Sequence, residues 1–357
     1  MSLDTQTRSP LAWPDPMGSG TGPIHSRLPA DPYAAPDPLG VYTEPTPTGP
    51  FTDPNTGDFT GPGTGPHTGP LAVGTTAGAF SVLDSQIRLH DVDHQTIAAR
   101  RDQVETVLRS LFRPQSALPL VGVATIGSAG RDTMIRPLDE VDVFAVFSAA
   151  TGAWKRFRFD SSGLLSAVRD AIGGEHVEVI GSRGKALRLV YDAAPDVHLI
   201  PAFDHPRAGY VMADGVGGWL PTRPERHSSW MAGFGAAVSS TVRLLKFWNR
   251  VYGSHLRSFH LEALTGAVVG ARGLDTRQAL LEVFTAGERG LEAYDPAGLG
   301  GDLSAYLTAA DATALTEAFA FARTHAAQAV SAEAVGDHEE AISMWRVVFG
   351  PTLPAFG

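Results

Sequence analysis

Proline is distributed so unevenly along the chain that it restricts where a folded domain can lie. Of the 26 prolines, 15 fall in the first 78 of the 357 residues, and Thr-Gly-Pro recurs there five times. Proline lacks the backbone donor that helices and sheets use, and the sparse apolar residues of this segment bury too little surface to offset the entropy of ordering. Glycine also lacks the strict period of collagen. We therefore predict a disordered tail over residues 1–78.

From residue 79 onward the apolar pattern indicates a helix, then strands, then more helices. Residues 81–112 lack proline and carry an apolar stripe at helical spacing, formed by Val104, Val107, Leu108 and Leu111. Residues 120–126, 141–147, 187–190 and 197–200 are typical of strands. Helical periodicity returns after Trp219. This order predicts an α+β fold with a mixed-sheet catalytic lobe over 79–228, an α-helical lobe over 229–357 and a ligand-binding cleft between them.

Composition excludes several classes of protein. The formal net charge is −10, which argues against a stable nucleic-acid partner, because phosphate binding generally needs a basic face. There are no cysteines, so any metal must be held by oxygen or imidazole. No apolar run approaches the ~20 residues of a membrane span, and no signal peptide is visible. We therefore expect a cytoplasmic protein without a membrane partner.

The residues that indicate chemistry lie between two of the predicted strands. Gly127 and Ser128 end the first strand, and Glu140 and Asp142 begin the second. Residues two apart on a strand project from the same face, so the two carboxylates lie side by side. Mg²⁺ takes one or two carboxylates together with substrate phosphates. Glycine lets a phosphate approach the backbone, and a serine hydroxyl donates to its oxygens. The combination predicts a phosphate loop beside a metal site.

The stretch GSAGRDTMIRPLDEVDVF, over residues 127–144, resembles the signature of the nucleotidyltransferase superfamily. More narrowly, it resembles the cGAS/DncV-like nucleotidyltransferases (CD-NTases), the bacterial relatives of cGAS and oligoadenylate synthase. Further similarity lies at Ile200–Phe203, at Leu244–Asn249 with its lysine, at Ser258–Glu262 and at Ala341–Gly350. The resemblance therefore runs from about Ser81 to the C-terminus.

The resemblance implies a polymerase β-like catalytic lobe that binds nucleoside triphosphates on Mg²⁺ or Mn²⁺. A ribose hydroxyl attacks the α-phosphate, pyrophosphate leaves, and the product is a cyclic or linear oligonucleotide second messenger of antiphage defence (CBASS). Regulator or effector proteins of the defence system are implied as partners. Lys246 and Ser258 match positions that contact the triphosphate. Ser258 also suits a helix N-cap, and Arg131 either contacts phosphate or pairs with Asp132 or Asp139.

One position departs from the family pattern. The third metal-binding carboxylate of the family falls where this chain has His198, and the nearest acid is Asp196. Three interpretations stay open. His198 is a metal ligand, although imidazole suits other metals better than Mg²⁺. Alternatively, Asp196 takes over through an altered strand register. In the third, the acid is absent, and the protein binds nucleotide without efficient bond formation.

Three functions follow from these possibilities. The first is a second-messenger synthase in which Glu140, Asp142 and His198 hold the metal and Asp196 is a further catalytic candidate. The second is a nucleotide sensor, a pseudoenzyme with a degenerate metal site. The third is a transferase that adds a nucleotide to RNA or to a small molecule.

Overall fold

The computed structural model describes residues 72–150, 152–173, 177–179, 184–206, 208–253 and 255–357. Most of the predicted tail, residues 1–71, lies outside these ranges. The first helix begins at Thr76, inside the segment predicted as tail. Within the described ranges, none of the helices combines the length and the apolarity that a membrane span requires.

The described helices include two at the N-terminal side, three beside the sheet and six in the C-terminal part. They are α1 (Thr76–Ile87), α2 (Asp91–Leu111), α3 (Gly127–Gly130), α4 (Ala153–Phe157), α5 (Ser161–Ile172), α6 (Pro224–Ala232), α7 (Ala236–Val251), α8 (Ser258–Val269), α9 (Thr276–Arg289), α10 (Ala309–Ala334) and α11 (His338–Phe349).

Seven described strands form one mixed sheet. They are β1 (Leu120–Thr125), β2 (Glu140–Phe147), β3 (Val177–Val179), β4 (Leu187–Leu189), β5 (Asp196–His205), β6 (Gly209–Ala213) and β7 (Trp219–Thr222). The path runs β1-β2-β5-β4-β3, and β6 pairs with β5 and β7. Only β2 and β5 pair in parallel among these strands. The predicted α+β class with a mixed sheet is confirmed.

The described residues form two large hydrophobic cores and a small third one on β2 and β5. Alternate residues of β2, Val141 and Val143, pack with α2 and α5 under one face of the sheet. A second core joins α1 to the helices from α7 to α11 and contains Trp248 and Trp345. Each core buries one apolar face of its elements, which is the condition for a stable layer.

The predicted N-terminal helix over 81–112 is wrong in two respects. The segment forms two helices, α1 and α2, because the chain is extended at His90. His90 is the N-cap of α2, and its backbone N–H donates to Asp93 Oδ2 at 2.8 Å. The first of them packs with the helical lobe, since Phe80 lies edge-on to Trp345 at 5.0 Å. The predicted stripe is also only half buried, because Val107 and Leu111 are exposed.

Candidate active site

The carboxylate pair lies at the start of β2, where the chain returns to the sheet. Glu140 and Asp142 project from the same face, as their spacing on a strand predicts. Their side chains are 60% and 38% exposed. The backbone is held in place because Ile126 N–H, at the end of the preceding segment, donates to Asp142 C=O at 3.0 Å. Both carboxylates therefore face solvent from a rigid strand.

Gly127 is in direct contact with this pair. Its φ is +66°, which favours glycine. A Cβ added there would lie 2.0 Å from Asp142 Oδ2, far inside a van der Waals contact. Gly127 begins the single turn of α3, and Thr133 N–H donates back to Ser128 C=O at 3.0 Å. The segment from Gly127 to Thr133, called the phosphate loop below, thus closes on itself beside Asp142.

His198 lies on the neighbouring strand, directly opposite Asp142 in the parallel register of β2 and β5. Its Nε2 is 2.9 Å from Glu140 Oε2 and its Nδ1 is 3.7 Å from Asp142 Oδ1. Burial opposes a charge on the ring, but the two carboxylates outweigh it and raise the pKa of His198 to about 9. The hydrogen bond from His198 in turn lowers the pKa of Glu140. We call Glu140, Asp142 and His198 the carboxylate cluster. At neutral pH this cluster consists of an imidazolium between two carboxylates.

Asp196 does not replace the missing acid. It lies opposite Glu140, and the register of β2 and β5 continues without a shift to Phe147 and Phe203. Arg188 donates to Asp196 Oδ2 at 2.8 and 3.1 Å, and Tyr191 N–H donates to Oδ1 at 3.1 Å. Altered register is therefore wrong as an explanation, because both Asp196 oxygens are engaged by the adjacent β-hairpin.

Lys246 was predicted to contact the triphosphate, but in the structure its ammonium group contacts protein atoms. It is buried, and its Nζ donates to Glu262 Oε1 at 2.6 Å and to Thr133 at its carbonyl (2.9 Å) and hydroxyl (3.1 Å). All three ammonium donors are taken by protein. A phosphate contact by Lys246 needs this ion pair to break.

Arg131 also forms an ion pair, but its partner is Glu262 and not the predicted Asp132 or Asp139. Its Nε donates to Glu262 Oε2 at 2.5 Å, and its guanidinium lies 5.0 Å from the centre of the Phe259 ring. Burial opposes the charge of Glu262, but Lys246 and Arg131 outweigh it and lower the pKa of Glu262 to about 2. We call Arg131, Thr133, Lys246 and Glu262 the buried network.

Ser258 is the first residue of α8, and Arg257 is its N-cap. The N-cap alternative for Ser258 is therefore wrong by one residue. Ser258 is exposed and lies at the positive end of a helix dipole, where an anion is stabilised.

Sequence reasoning missed Glu262. It belongs to a segment quoted for its serine and aromatic residue, yet Glu262 is fully buried and pairs with two cations. The available signal was an acid four residues after Ser258, inside an otherwise apolar helix. Such an acid occupies a buried face only if it is paired.

The donor set was tested against a divalent metal ion. Among the described residues, no three His, Asp or Glu side chains are arranged as a group that could hold a metal. His198 Nε2 is 2.9 Å from Glu140 Oε2, so a metal contact by this ring nitrogen needs that contact to break. Glu140 and Asp142, however, fit Mg²⁺ in the way that substrate-bound sites use it, with two carboxylates and the remaining ligands from phosphates and water.

Known proteins resemble this chain in sequence and in fold. Residues 75–234 match the family described as Second Messenger Oligonucleotide or Dinucleotide Synthetase domain. A probable cyclic nucleotide synthase of Bacillus cereus (strain VD146) is 24% identical over 271 residues, which are 64% of this chain and 81% of the relative.

Solved structures share the fold at low identity. Escherichia coli MS115-1 CdnC with ATP superposes with a TM-score of 0.65 at 16% identity, over 79% of this chain and 99% of that one. Vibrio cholerae DncV with the linear intermediate pppA(3′,5′)pG superposes with a TM-score of 0.59 at 13% identity, over 77% and 95%. Residues 75–234 are thus similar to second-messenger synthetase domains, and the chain shares the fold of the CdnC and DncV nucleotidyltransferase structures.

Proposed function

We propose that this chain joins nucleoside triphosphates into a cyclic or linear oligonucleotide second messenger and releases pyrophosphate. The observation that carries the proposal is the contact of Gly127 with Asp142, which places a phosphate loop directly against a carboxylate pair on β2. The pair lies inside the part of the chain that matches second-messenger synthetases. The relatives with ATP and with a linear intermediate support the same substrate class.

In this proposal Glu140 and Asp142 hold Mg²⁺ or Mn²⁺. The metal ion, when bound, neutralises the charge that develops on the phosphate oxygens. The two side chains are exposed enough to take a metal ion from solvent. When no metal ion is bound, they contact His198 instead. A metal ion on these two carboxylates would remove the negative charge that raises the pKa of His198.

The remaining residues bind and orient the nucleotide. Ser128 lies in the turn of the phosphate loop, and Ser258 at the N-terminus of α8 offers a hydroxyl and a helix dipole to the triphosphate. In-line attack by a second nucleotide needs its ribose hydroxyl held beside the α-phosphate.

Incubation with labelled nucleoside triphosphates tests the proposal. We expect pyrophosphate release and a phosphatase-resistant oligonucleotide in the presence of Mg²⁺ or Mn²⁺, with no product when the metal is chelated. Label that appears only on added RNA contradicts the synthase and supports the RNA transferase.

One observation favours a second candidate, a nucleotide sensor. The resemblance to the family implies a third acid at the position of His198, and here the imidazole lies 2.9 Å from Glu140 Oε2 in place of a carboxylate. Nucleotide binding without turnover, with either metal, would establish the sensor in place of the synthase.

We also place the product in antiphage signalling, together with regulator or effector proteins. A complex of CdnC with a HORMA protein exists for the Escherichia coli relative. Phage plating on cells that carry the gene with its neighbours is the test. If the double variant Glu140→Ala and Asp142→Ala protects cells as well as wild type does, the role in antiphage signalling is contradicted.

A further inference from the structure

Glu262 is a fully buried carboxylate that the proposed chemistry does not use. Its Oε1 accepts from Lys246 Nζ and from Thr133 Oγ1, each at 2.6 Å. Its Oε2 accepts from Arg131 Nε at 2.5 Å. The donors come from α7 and from the phosphate loop, whereas Glu262 itself lies on α8. One carboxylate therefore ties the helical lobe to the loop.

The loop residues that Glu262 holds are those that close the turn around Ser128. Arg131 N–H and Thr133 N–H both donate to Ser128 C=O, at 3.3 and 3.0 Å. Lys246 adds a bond to Thr133 C=O at 2.9 Å. A displacement of Arg131 or Thr133 therefore moves Ser128 as well.

Glu262 also relates this turn to the second serine of the cleft. Ser258 and Glu262 are four residues apart on α8 and so share a helix face. Because Glu262 is anchored to the residues that hold Ser128, its contacts set the separation between the loop and the N-terminus of α8.

Burial makes this arrangement stiff. The side chains of Arg131, Lys246 and Glu262 are 8%, 5% and 0% exposed. An unpaired charge in such surroundings is strongly disfavoured, so the loop has few alternative positions that keep all three charges satisfied.

We propose that Glu262 is a positioning residue for the triphosphate: it fixes the phosphate loop against α8 so that Ser128 and Ser258 face one triphosphate. This inference rests on the proposed function. Two effects of removing the Glu262 charge differ in sign. The loss of a negative charge near the triphosphate strengthens its binding, whereas the loss of positioning weakens its binding.

The binding test compares Glu262→Gln with wild type, using ATP and GTP against AMP and GMP in Mg²⁺. We expect triphosphate affinity to fall about tenfold or more, because misplaced contacts lose binding steeply, while monophosphate affinity stays within about twofold. Glu333→Gln is the matched control, since it removes the carboxylate of an ion pair with Arg277 between α9 and α10. The control leaves both affinities unchanged.

Two results overturn the proposal. Equal weakening of triphosphate and monophosphate binding makes Glu262 a purely structural residue, and tighter triphosphate binding makes it a source of repulsion. If Glu262→Gln does not fold, Thr133→Val removes one partner without leaving a charge unpaired. It is expected to weaken triphosphate binding about threefold, with monophosphate binding unchanged.

Amide hydrogen exchange without nucleotide separates this proposal from the proposed function. In Glu262→Gln we expect exchange of residues 127–133 to rise about tenfold or more, with α10 and α11 unchanged. Unchanged loop exchange contradicts positioning, whatever the protein binds. A third outcome is faster loop exchange in Glu262→Gln together with no triphosphate binding by wild type. This outcome contradicts the proposed function and the role of Glu262 in triphosphate binding, and it leaves Glu262 as a residue that anchors the loop.

Discussion

The carboxylate cluster lies against the start of the phosphate loop, the buried network includes its end, and the two differ in their contact with water. In the cluster, Glu140, Asp142 and His198 have side chains that are 60%, 38% and 21% exposed. In the network, the three charged side chains are at most 8% exposed. Both clusters pair carboxylates with cations, so solvent access is what distinguishes them.

That difference assigns different tasks to similar groups. Solvent screens an exposed pair, so its cation is replaced at little cost, as a metal site requires. A buried pair resists the loss of either partner, because the remaining charge stays desolvated. The open cluster is therefore suited to exchange ligands, and the sealed network is suited to hold backbone in place.

The largest expected effect follows from removal of the carboxylates of the open cluster. Glu140→Ala combined with Asp142→Ala lowers turnover about a thousandfold or more, because the metal contributes several kcal/mol to the transition state. Both side chains face solvent, so the melting temperature stays close to wild type. Pyrophosphate release and circular dichroism measure the two quantities. Turnover that survives the double substitution excludes these residues as the metal site.

The sealed network gives the next largest effect, on stability. Lys246→Met removes a buried cation and leaves Glu262 with one charged partner, which lowers the free energy of unfolding by about 3 kcal/mol. Arg109→Met removes an exposed partner of Glu105 on α2 and changes it by less than about 1 kcal/mol. Urea denaturation of both variants checks the contrast. If Lys246→Met and Arg109→Met lower the free energy of unfolding equally, burial does not make the ion pair of Lys246 more important for stability than the exposed pair of Arg109.

Acid titration sharpens the same contrast. The pKa of Glu262 lies at about 2 in the folded chain, below its ordinary value of 4.5. Its stabilising contribution is therefore complete above about pH 4.5 and is lost as the pH falls toward 2, by about 3 kcal/mol. The unfolding free energies of wild type and Glu262→Gln, measured from pH 7 to pH 3, should converge as the pH falls. A difference that stays constant with pH contradicts an ionised Glu262.

The smallest effect concerns the open cluster again. His198→Asp supplies a third carboxylate on β5 and is expected to tighten Mn²⁺ binding about tenfold, since affinity follows the charge of the ligands. Titration of the bound Mn²⁺ by electron paramagnetic resonance measures it, with His198→Asn as the uncharged control. Weaker binding in both variants shows that the imidazole itself is a ligand.

Much of the open cluster could be predicted from local pattern. The two-residue spacing of Glu140 and Asp142 places them on one face of any strand, and a glycine before them fits the positive φ of Gly127. The mixed α+β class followed from periodicities of 2 and 3.6. The break between α1 and α2 was missed, because no proline or glycine marks it and tertiary packing of Phe80 decides it.

The sealed network could not be predicted in the same way. Lys246 and Glu262 lie on separate helices, and Arg131 and Thr133 lie more than a hundred residues earlier. A charged residue on a predicted helix is most simply placed in solvent or on a ligand, since nothing local shows which partner it meets. Asp196 is similar, because its partner Arg188 comes from the facing strand β4.

The sequence by itself predicted the carboxylate pair, the loop before it and the resemblance to a nucleotidyltransferase family, because these depend on residues close together in the chain. Tertiary structure alone decided that His198 is held as a cation between the two acids, that Asp196 is engaged by Arg188, and that Glu262 joins Lys246 to the loop. Charge state and availability depend on burial and on distant partners, and folding brings those partners together.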